Sequence, residues 1–278
     1  MIGYVFAGQR SEFLPRWSEL FNNAIQSLVH VEELKLRIRS KSYCDALCAS
    51  SFPRLRNFSL TLSVVSDGLL LPSFLNRHPS IVRLMLYRDS CYPRVPSISV
   101  RLPNLHCFRG PSSFFTSIVP QAPLSSAYLS WNIGEDFGPA IAVLEGYSKE
   151  SLVKLSCIRR GCNADLIEYI SRHIPDIRSL RIQSPYGGTN PADRVSATKA
   201  VMTAALNYDP LQTILDAIGI SLSNFTALKH LEYCFSLKTT NKMEDDATVT
   251  AWGRACPTLR KIDFCQFLQY AVILPRHS

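Results

Sequence analysis

The chain has 278 residues, of which 46% are hydrophobic and 19% charged, so it can bury a core and is not a disordered tail. Its net charge of +8 is spread along the chain without a basic tail, whereas a nucleic-acid binder usually gathers Lys and Arg on one face or arm. No apolar run approaches the roughly 20 residues of a membrane span, and the apolar start MIGYVFAGQR is too short for a signal peptide. The nine cysteines are odd in number and form no CxxC pair, and with no signal peptide we expect reduced thiols in an intracellular protein, cytoplasmic or nuclear. Because no apolar run is long enough to span a membrane, we expect no membrane partner.

The first predicted element is an amphipathic helix within residues 11–29. Its apolar residues, from Leu14 to Leu28, fall at steps of three and four, and Pro15 is acceptable in the first helical turn. We expect this helix to cap the structure that follows.

A short pattern then recurs: an apolar residue, two variable residues, an apolar residue, one variable residue and an apolar residue. Most of its copies are spaced in or near the 20–29-residue period of a leucine-rich repeat. The copies are VEELKL (31–36), LRNFSL (55–60), IVRLML (81–86), LVKLSC (152–157), IRSLRI (177–182), LKHLEY (228–233), LRKIDF (259–264) and the weaker LHCFRG (105–110) and LSSAYL (124–129).

Proline stands two residues before the first apolar position in five of these copies. Since proline cannot donate to a helix ladder and biases the preceding residue away from the α region, it marks the end of a helix and the approach of a strand. The five prolines are Pro53, Pro79, Pro103, Pro175 and Pro257.

The segments between the copies have the periodicity of helices. Strand and helix repeated at about 25 residues predict an α/β fold, a leucine-rich-repeat solenoid that spans residues 1–278 as one domain. We expect it to be curved, with parallel strands on its concave face and helices on its convex face. The predicted helices between the copies are 66–77, 136–147, 165–174 and 245–255.

The repeat is least regular in two places. Leu105 and Leu124 lie only 19 residues apart, so an extended or one-turn connection fits between them rather than a full helix. In residues 184–224 a loop, SPYGGTNPADR, precedes two predicted helices, 195–208 and 211–222. This region is either one degenerate repeat or a helical insertion.

The middle apolar residues of seven copies are expected to form one buried ladder. Each of them, with the two residues that follow it, is expected to lie in a strand. The ladder residues are Leu34, Phe58, Leu84, Leu155, Leu180, Leu231 and Ile262.

The sequence contains no nucleophile-elbow, zincin, phosphate-loop or dinucleotide-binding motif. We therefore expect no catalytic residue, no cofactor and no metal site, and a protein that is not an enzyme. Cys44 and Cys48, four apart on a predicted helix, are interpreted as core filling. His230 and Cys234 are also four apart, but a strand separates such residues by more than about 12 Å, which argues against a shared metal.

The variable residues of the strand pattern are the informative ones, because side chains alternate across a strand and these would point out on the concave face. Solenoids bind partners on such extended surfaces, and Tyr and Arg are common in binding hot spots. Basic residues outnumber acidic ones there, which predicts a protein partner that is acidic at its contact surface. A basic nucleic-acid-binding solenoid is the less favoured alternative. The candidate partner-binding residues are Lys35, Arg37, Arg83, Tyr87, Arg109, Tyr128, Lys154, Arg181 and Lys261.

The stretch DDATVTAWGRACPTLRKIDF (245–264) resembles the cysteine-containing leucine-rich repeat of F-box proteins, in which a short helix ends in Cys-Pro and a strand follows. FPRLRNFSL, HPSIVRLML and IPDIRSLRI are similar to repeats of the divergent fungal family of F-box-like proteins. The resemblance implies a protein-interaction module that recognises substrates for a ubiquitin-ligase adaptor. Since only some thirty residues precede the first repeat strand, a complete F-box does not fit there. We expect binding of the ligase linker subunit only if an F-box lies upstream.

Overall fold

The computed structural model describes residues 14–62, 70–88, 99–118, 123–132, 134–147, 151–159, 163–184, 210–235 and 242–266. Within these residues the chain is an α/β protein in which nine strands alternate with helices. It divides into two compact units. Unit 1 comprises residues 1–132 and 136–154, and unit 2 comprises residues 133–135 and 155–278.

Unit 1 contains five complete strands and the helices between them. Its described elements are α1 (Leu14–Ser27), β1 (Glu33–Ile38), α2 (Lys41–Ala49), β2 (Asn57–Leu62), α3 (Leu70–Asn76), β3 (Arg83–Arg88), β4 (Cys107–Pro111), α4 (Ser112–Phe115), β5 (Ser126–Trp131) and α5 (Gly138–Glu145). Strands β1 to β5 pair in chain order and in parallel. Such pairing needs a crossover between successive strands, and described helices lie in the crossovers from β1 to β2, from β2 to β3 and from β4 to β5.

Unit 2 continues the same alternation. Its described elements are β6 (Lys154–Arg159, whose first residue belongs to unit 1), α6 (Ala164–His173), β7 (Ser179–Gln183), α7 (Pro210–Leu222), β8 (His230–Phe235), α8 (Lys242–Ala255) and β9 (Lys261–Gln266). Strands β7, β8 and β9 pair in parallel and in chain order. Among the residues described, no helix has both the length and the apolarity of a membrane span.

The predicted elements agree closely with the observed ones. All seven predicted strand segments lie in strands, and the predicted helices correspond to α1, α3, α5, α6, α7 and α8. The short connection between Leu105 and Leu124 contains a single helical turn, α4, as its length predicts. The predicted helix 195–208 and the ends of two others, 11–13 and 66–69, lie outside the described residues.

The predicted ladder is confirmed at six of its seven positions. The buried residues are Leu34, Phe58, Leu84, Leu155, Leu180 and Leu231. Ile262 is a correction, because it is only half-buried. It lies opposite Leu231, but β9 is the last described strand, and in the described residues it has a neighbouring strand on one side alone.

The five prolines occupy a recurring β-turn. In each copy the carbonyl of the residue before proline accepts a hydrogen bond from the amide three residues later, with proline at the second position of the turn, where its fixed φ is favoured. The bonds, 3.0–3.3 Å long, join Leu55 to Phe52, Ile81 to His78, Leu105 to Leu102, Ile177 to Ile174 and Leu259 to Cys256. The turn leads the chain into the next strand in all five copies, and in four of them it follows a described helix, namely α2, α3, α6 or α8.

Candidate functional site

The open face of the unit 1 sheet, opposite the buried ladder, consists of side chains that the strand register arranges in rows. The first row crosses β1 to β5 as Glu33, Asn57, Arg83, Cys107 and Ser126. The second row is Lys35, Ser59, Met85, Arg109 and Tyr128, and the third contains Arg37, Thr61 and Tyr87. Most of these side chains are half-buried or exposed. The face therefore presents polar and aromatic groups in fixed relative positions.

Lys154 extends the first row by one strand. The amides of Val153 and Lys154 both donate to the Ser125 carbonyl, at 2.9 and 3.0 Å. The same pair of hydrogen bonds to one carbonyl occurs at the start of β3, where the amides of Val82 and Arg83 both donate to the Arg56 carbonyl. There, Arg83 lies beside Asn57, the residue that follows the acceptor Arg56. By the same geometry, Lys154 lies beside Ser126, the residue that follows the acceptor Ser125.

Three cations and two tyrosines form a cluster on this face, which we call the basic cluster: Arg83, Arg109, Lys154, Tyr87 and Tyr128. The Arg109 guanidinium carbon lies 5.3 Å from the Tyr87 ring centroid and 6.0 Å from that of Tyr128. The Lys154 ammonium lies 5.5 Å from the Tyr128 centroid. Cation–π contacts at exposed sites contribute about 0.5–1 kcal/mol each, enough to favour these rotamers without neutralising the charges.

Arg83 is held by a neutral group. Its Nε donates to Oδ1 of Asn57 on the adjacent strand, at 2.8 Å. A carboxamide accepts this bond but carries no charge. Among the described residues, none of the three cations of the basic cluster forms an ion pair with a carboxylate. Three positive charges are therefore concentrated across four neighbouring strands.

Cys107 lies in the first row between Arg83 and Ser126 and is half-buried. Burial raises the pKa of the Cys107 thiol, and this effect outweighs the lowering by Arg83, Arg109 and Lys154. The thiol is accordingly protonated at neutral pH, which does not favour its use as a nucleophile.

Three other predicted binding residues have acidic partners, namely Lys35, Arg181 and Lys261. Lys35 pairs with Glu33 at 2.6 Å, and that ammonium holds the pKa of Glu33 below its ordinary value. Arg37 lies in the third row of the face and is exposed. In unit 2, Arg181 pairs with Glu232 at 3.1 Å.

The open face of unit 2 combines both signs of charge. Nζ of Lys261 and Nε2 of His230 both contact Oδ2 of Asp263, at 2.5 and 2.9 Å, and both lower the pKa of that carboxyl group. Arg181, Glu232 and Asp263 occupy one row across β7, β8 and β9. Unlike the basic cluster of unit 1, this face carries internally compensated charge.

The cysteines follow the sequence interpretation with one correction. Cys44 and Cys48 are buried free thiols on α2, and their mutual hydrogen bond and burial raise the pKa of Cys48. Cys234, expected to be a reduced thiol, is disulfide-bonded, and the register sets it opposite Cys265. Within the described residues there is no group of three or more side chains suited to hold a metal.

The sequence-based list of binding residues omits Asn57 and Cys107, two members of the first row. Asn57, placed on the face but not among the binding residues, orients Arg83, and Cys107 lies between the cations. The signal was present, because both precede the middle apolar residue of their repeat, as Arg83 does.

The described residues form an α/β protein of parallel strands, and the open face of unit 1 carries aromatic side chains and three cations that have no carboxylate partner in the described part of the chain. Comparison with protein-family models and with curated proteins gives no match for the chain.

Proposed function

We propose that the chain is a leucine-rich-repeat module that binds another protein and is not an enzyme. The observation that carries the proposal is the basic cluster, in which Arg83, Arg109 and Lys154 have no carboxylate partner in the described structure. An acidic segment of a partner would supply the missing counter-charges. Complementary charge of this kind speeds encounter and selects partners more than it tightens the complex.

The tyrosines of the cluster would supply affinity. Tyr87 and Tyr128 are half-buried, and their rings are held by contacts with Arg109 and Lys154. Rigid aromatic side chains lose little conformational entropy on binding, and Tyr and Arg are enriched in hot spots. An acidic segment lying across these rings would bury apolar ring surface and pair with the cations at once.

A protein partner is favoured over a nucleic acid by the way the cations are distributed. Single-strand binders use free aromatic faces as stacking platforms along a continuous basic groove. Here Arg109 and Lys154 lie over the Tyr128 ring, and Lys35, Arg181 and Lys261 are paired with carboxylates. Three of the candidate cations therefore lie together without a carboxylate partner in the described residues, and this small group suits a short acidic segment better than a long phosphate backbone.

The finer proposal is that the module recognises substrates for an F-box-type ubiquitin-ligase adaptor. It is supported by the resemblance of residues 245–264 to the cysteine-containing repeat of F-box proteins. In this chain α8 ends at Ala255, a turn follows at Cys256 and Pro257, and β9 comes next. Its test is whether a protein that binds the chain through the basic cluster is ubiquitinated in cells that carry the chain. We expect that modification to be lost with the variant Arg83→Glu and Arg109→Glu, and unchanged ubiquitination would contradict the adaptor role.

Binding of a random peptide library, random-sequence RNA and duplex DNA, each at graded salt, tests the main proposal. We expect acidic peptides to be enriched, and the enrichment to be lost in a variant with Arg83→Glu and Arg109→Glu. The matched control is Arg54→Glu, which reverses an exposed charge in a turn of the same unit. Tighter, steeply salt-dependent nucleic-acid binding that the double variant abolishes would favour the alternative.

A further inference from the structure

We propose that the basic cluster recognises an extended acidic segment that crosses the strands, with carboxylates at alternate positions i, i+2 and i+4. This inference rests on the proposed function and specifies its ligand. The feature that carries it is the separation of the backbones of the three cations, which all belong to unit 1 but begin or lie on three different strands.

The sheet sets the spacing of the cations. Arg83 begins β3, Arg109 lies on β4 and Lys154 begins β6. Neighbouring strands lie about 4.8 Å apart, so the backbones that carry Arg83 and Lys154 are about 14 Å apart, with the backbone of Arg109 between them. Arg109 lies in the second row, two residues beyond Cys107, which is the first-row residue of the same strand.

An extended chain that crosses the strands matches this spacing. It advances about 3.4 Å per residue, and its alternate side chains point to the same side. Carboxylates at i, i+2 and i+4 would therefore be spread over about 14 Å on one face of the segment. The outer two would reach Arg83 and Lys154, and the central one would reach Arg109.

The contacts within the cluster fix where each cation is held. Nε of Arg83 donates to Asn57 on β2, so this guanidinium is held towards β2. Strand β2 lies on the side of β3 that is opposite to Lys154. Tyr87 and Tyr128 hold Arg109, and Tyr128 holds Lys154. Because Arg83 is drawn towards β2 while Lys154 lies three strands from β3, we expect these two cations to bind separate carboxylates rather than one phosphoryl group.

Three synthetic peptides of equal length test the spacing. The first carries Asp at i, i+2 and i+4, the second carries the same three Asp at consecutive positions, and the third carries one phosphoserine and no Asp. We expect the alternating peptide to bind about fivefold more tightly than the consecutive one, because the latter aims one carboxylate away from the cluster.

A second measurement assigns the central contact. Replacing the central Asp of the alternating peptide with Asn should weaken binding about threefold to fivefold in the native protein and not at all in the variant Arg109→Gln. The variant Arg54→Gln should keep the native sensitivity. A cation that only supported the fold would not remove the effect of one particular peptide side chain.

The outcomes separate this inference from the proposed function. Equal affinity for the alternating and consecutive peptides would overturn the spacing and leave an acidic partner in place. Binding of the phosphoserine peptide as tightly as the alternating one would overturn the separate-carboxylate model. Failure of both Asp peptides to bind would overturn the inference and the proposed function together.

Discussion

The backbone amide of Phe52 donates a hydrogen bond of 2.9 Å to Nε2 of His78, a residue one repeat further along the chain. Nδ1 of the same ring bonds to the Phe74 carbonyl at 2.7 Å, so the neutral tautomer with hydrogen on Nδ1 satisfies both contacts. The ring is buried against Phe74 and Phe52, at centroid distances of 4.2 and 5.8 Å. Protonation of Nε2 would remove the acceptor that Phe52 needs.

The stability of the protein should therefore fall at mildly acidic pH. Burial lowers the pKa of His78, and the nearby Arg77 lowers it further, against the opposing effect of the bond to Phe74. The folded state then resists a proton that the unfolded state accepts below about pH 6.5. The unfolding free energy should decrease as the pH falls through that value, by at most about 1.4 kcal/mol per pH unit for this one proton.

Urea unfolding of the native protein and of His78→Leu, between about pH 7.5 and 5, measures this effect. The variant should be less stable at neutral pH, because the Phe52 amide loses its acceptor, and its stability should depend less on pH. The control His106→Leu changes an exposed histidine and should keep the native slope. Identical slopes for His78→Leu and the native protein would contradict the argument.

Truncation of Leu180 should damage the core of unit 2. This side chain is fully buried on β7 and lies opposite Leu231 on β8. We expect Leu180→Ala to lower the unfolding free energy by about 2–5 kcal/mol, because it leaves a cavity in a close-packed layer. Chemical denaturation gives the value, and Val249→Ala, at a partly exposed position of α8, is the control. A loss below about 1 kcal/mol would show that the site collapses or that Leu180 is not in the core.

Reversal of charge should have different effects in the two units. Arg181→Glu puts a carboxylate beside Glu232, its present partner at 3.1 Å, and should destabilise unit 2 by up to about 1 kcal/mol because the pair is partly exposed. Arg83→Glu removes only a bond to a neutral amide, so its effect on stability should be smaller, while binding of acidic peptides is lost. Thermal unfolding and peptide binding on both variants check this contrast. Equal loss of peptide binding in both would show that the binding surface includes Arg181.

Gly219 on α7 should be required by its neighbour Trp252. The indole Nε1 donates to the Leu215 carbonyl at 3.0 Å, and a Cβ added at Gly219 would lie 3.2 Å from Cδ1 of the same ring. Alanine gains about 1 kcal/mol of helix propensity over glycine, but a fully buried tryptophan has little room to move. We expect Gly219→Ala to destabilise the native protein.

The same substitution should stabilise a variant that already contains Trp252→Phe, since the smaller ring leaves space for the methyl group. A double-mutant cycle in urea measures the coupling between positions 219 and 252. Additive effects of the two substitutions would contradict the proposed contact.

The strands and the buried ladder were predictable because their signal lies within each repeat. The charge pairs were not, because they depend on register between repeats: Arg181 and Glu232 are 51 residues apart, yet β7 and β8 set them side by side. Lys35 and Glu33 are two residues apart on one strand, so their pairing was open to inspection. His78 also left a signal, since it occupies the position before proline that is apolar in the other copies. Its bond to Phe52 could not be read from the sequence, since it depends on how adjacent repeats stack.

The proline turn also has a consequence for how the chain can change in length. In all five copies the strand begins at the fourth residue after the proline, as Arg83 follows Pro79, whereas the spacing of whole repeats ranges from 19 residues upwards. An extra residue after the proline would shift the strand register by one residue. The side chains of the buried ladder would then point to the open face, and those of the open face would point into the core. We therefore expect insertions and deletions to be tolerated on the helical side of each repeat, and the proposed binding face to change by substitution.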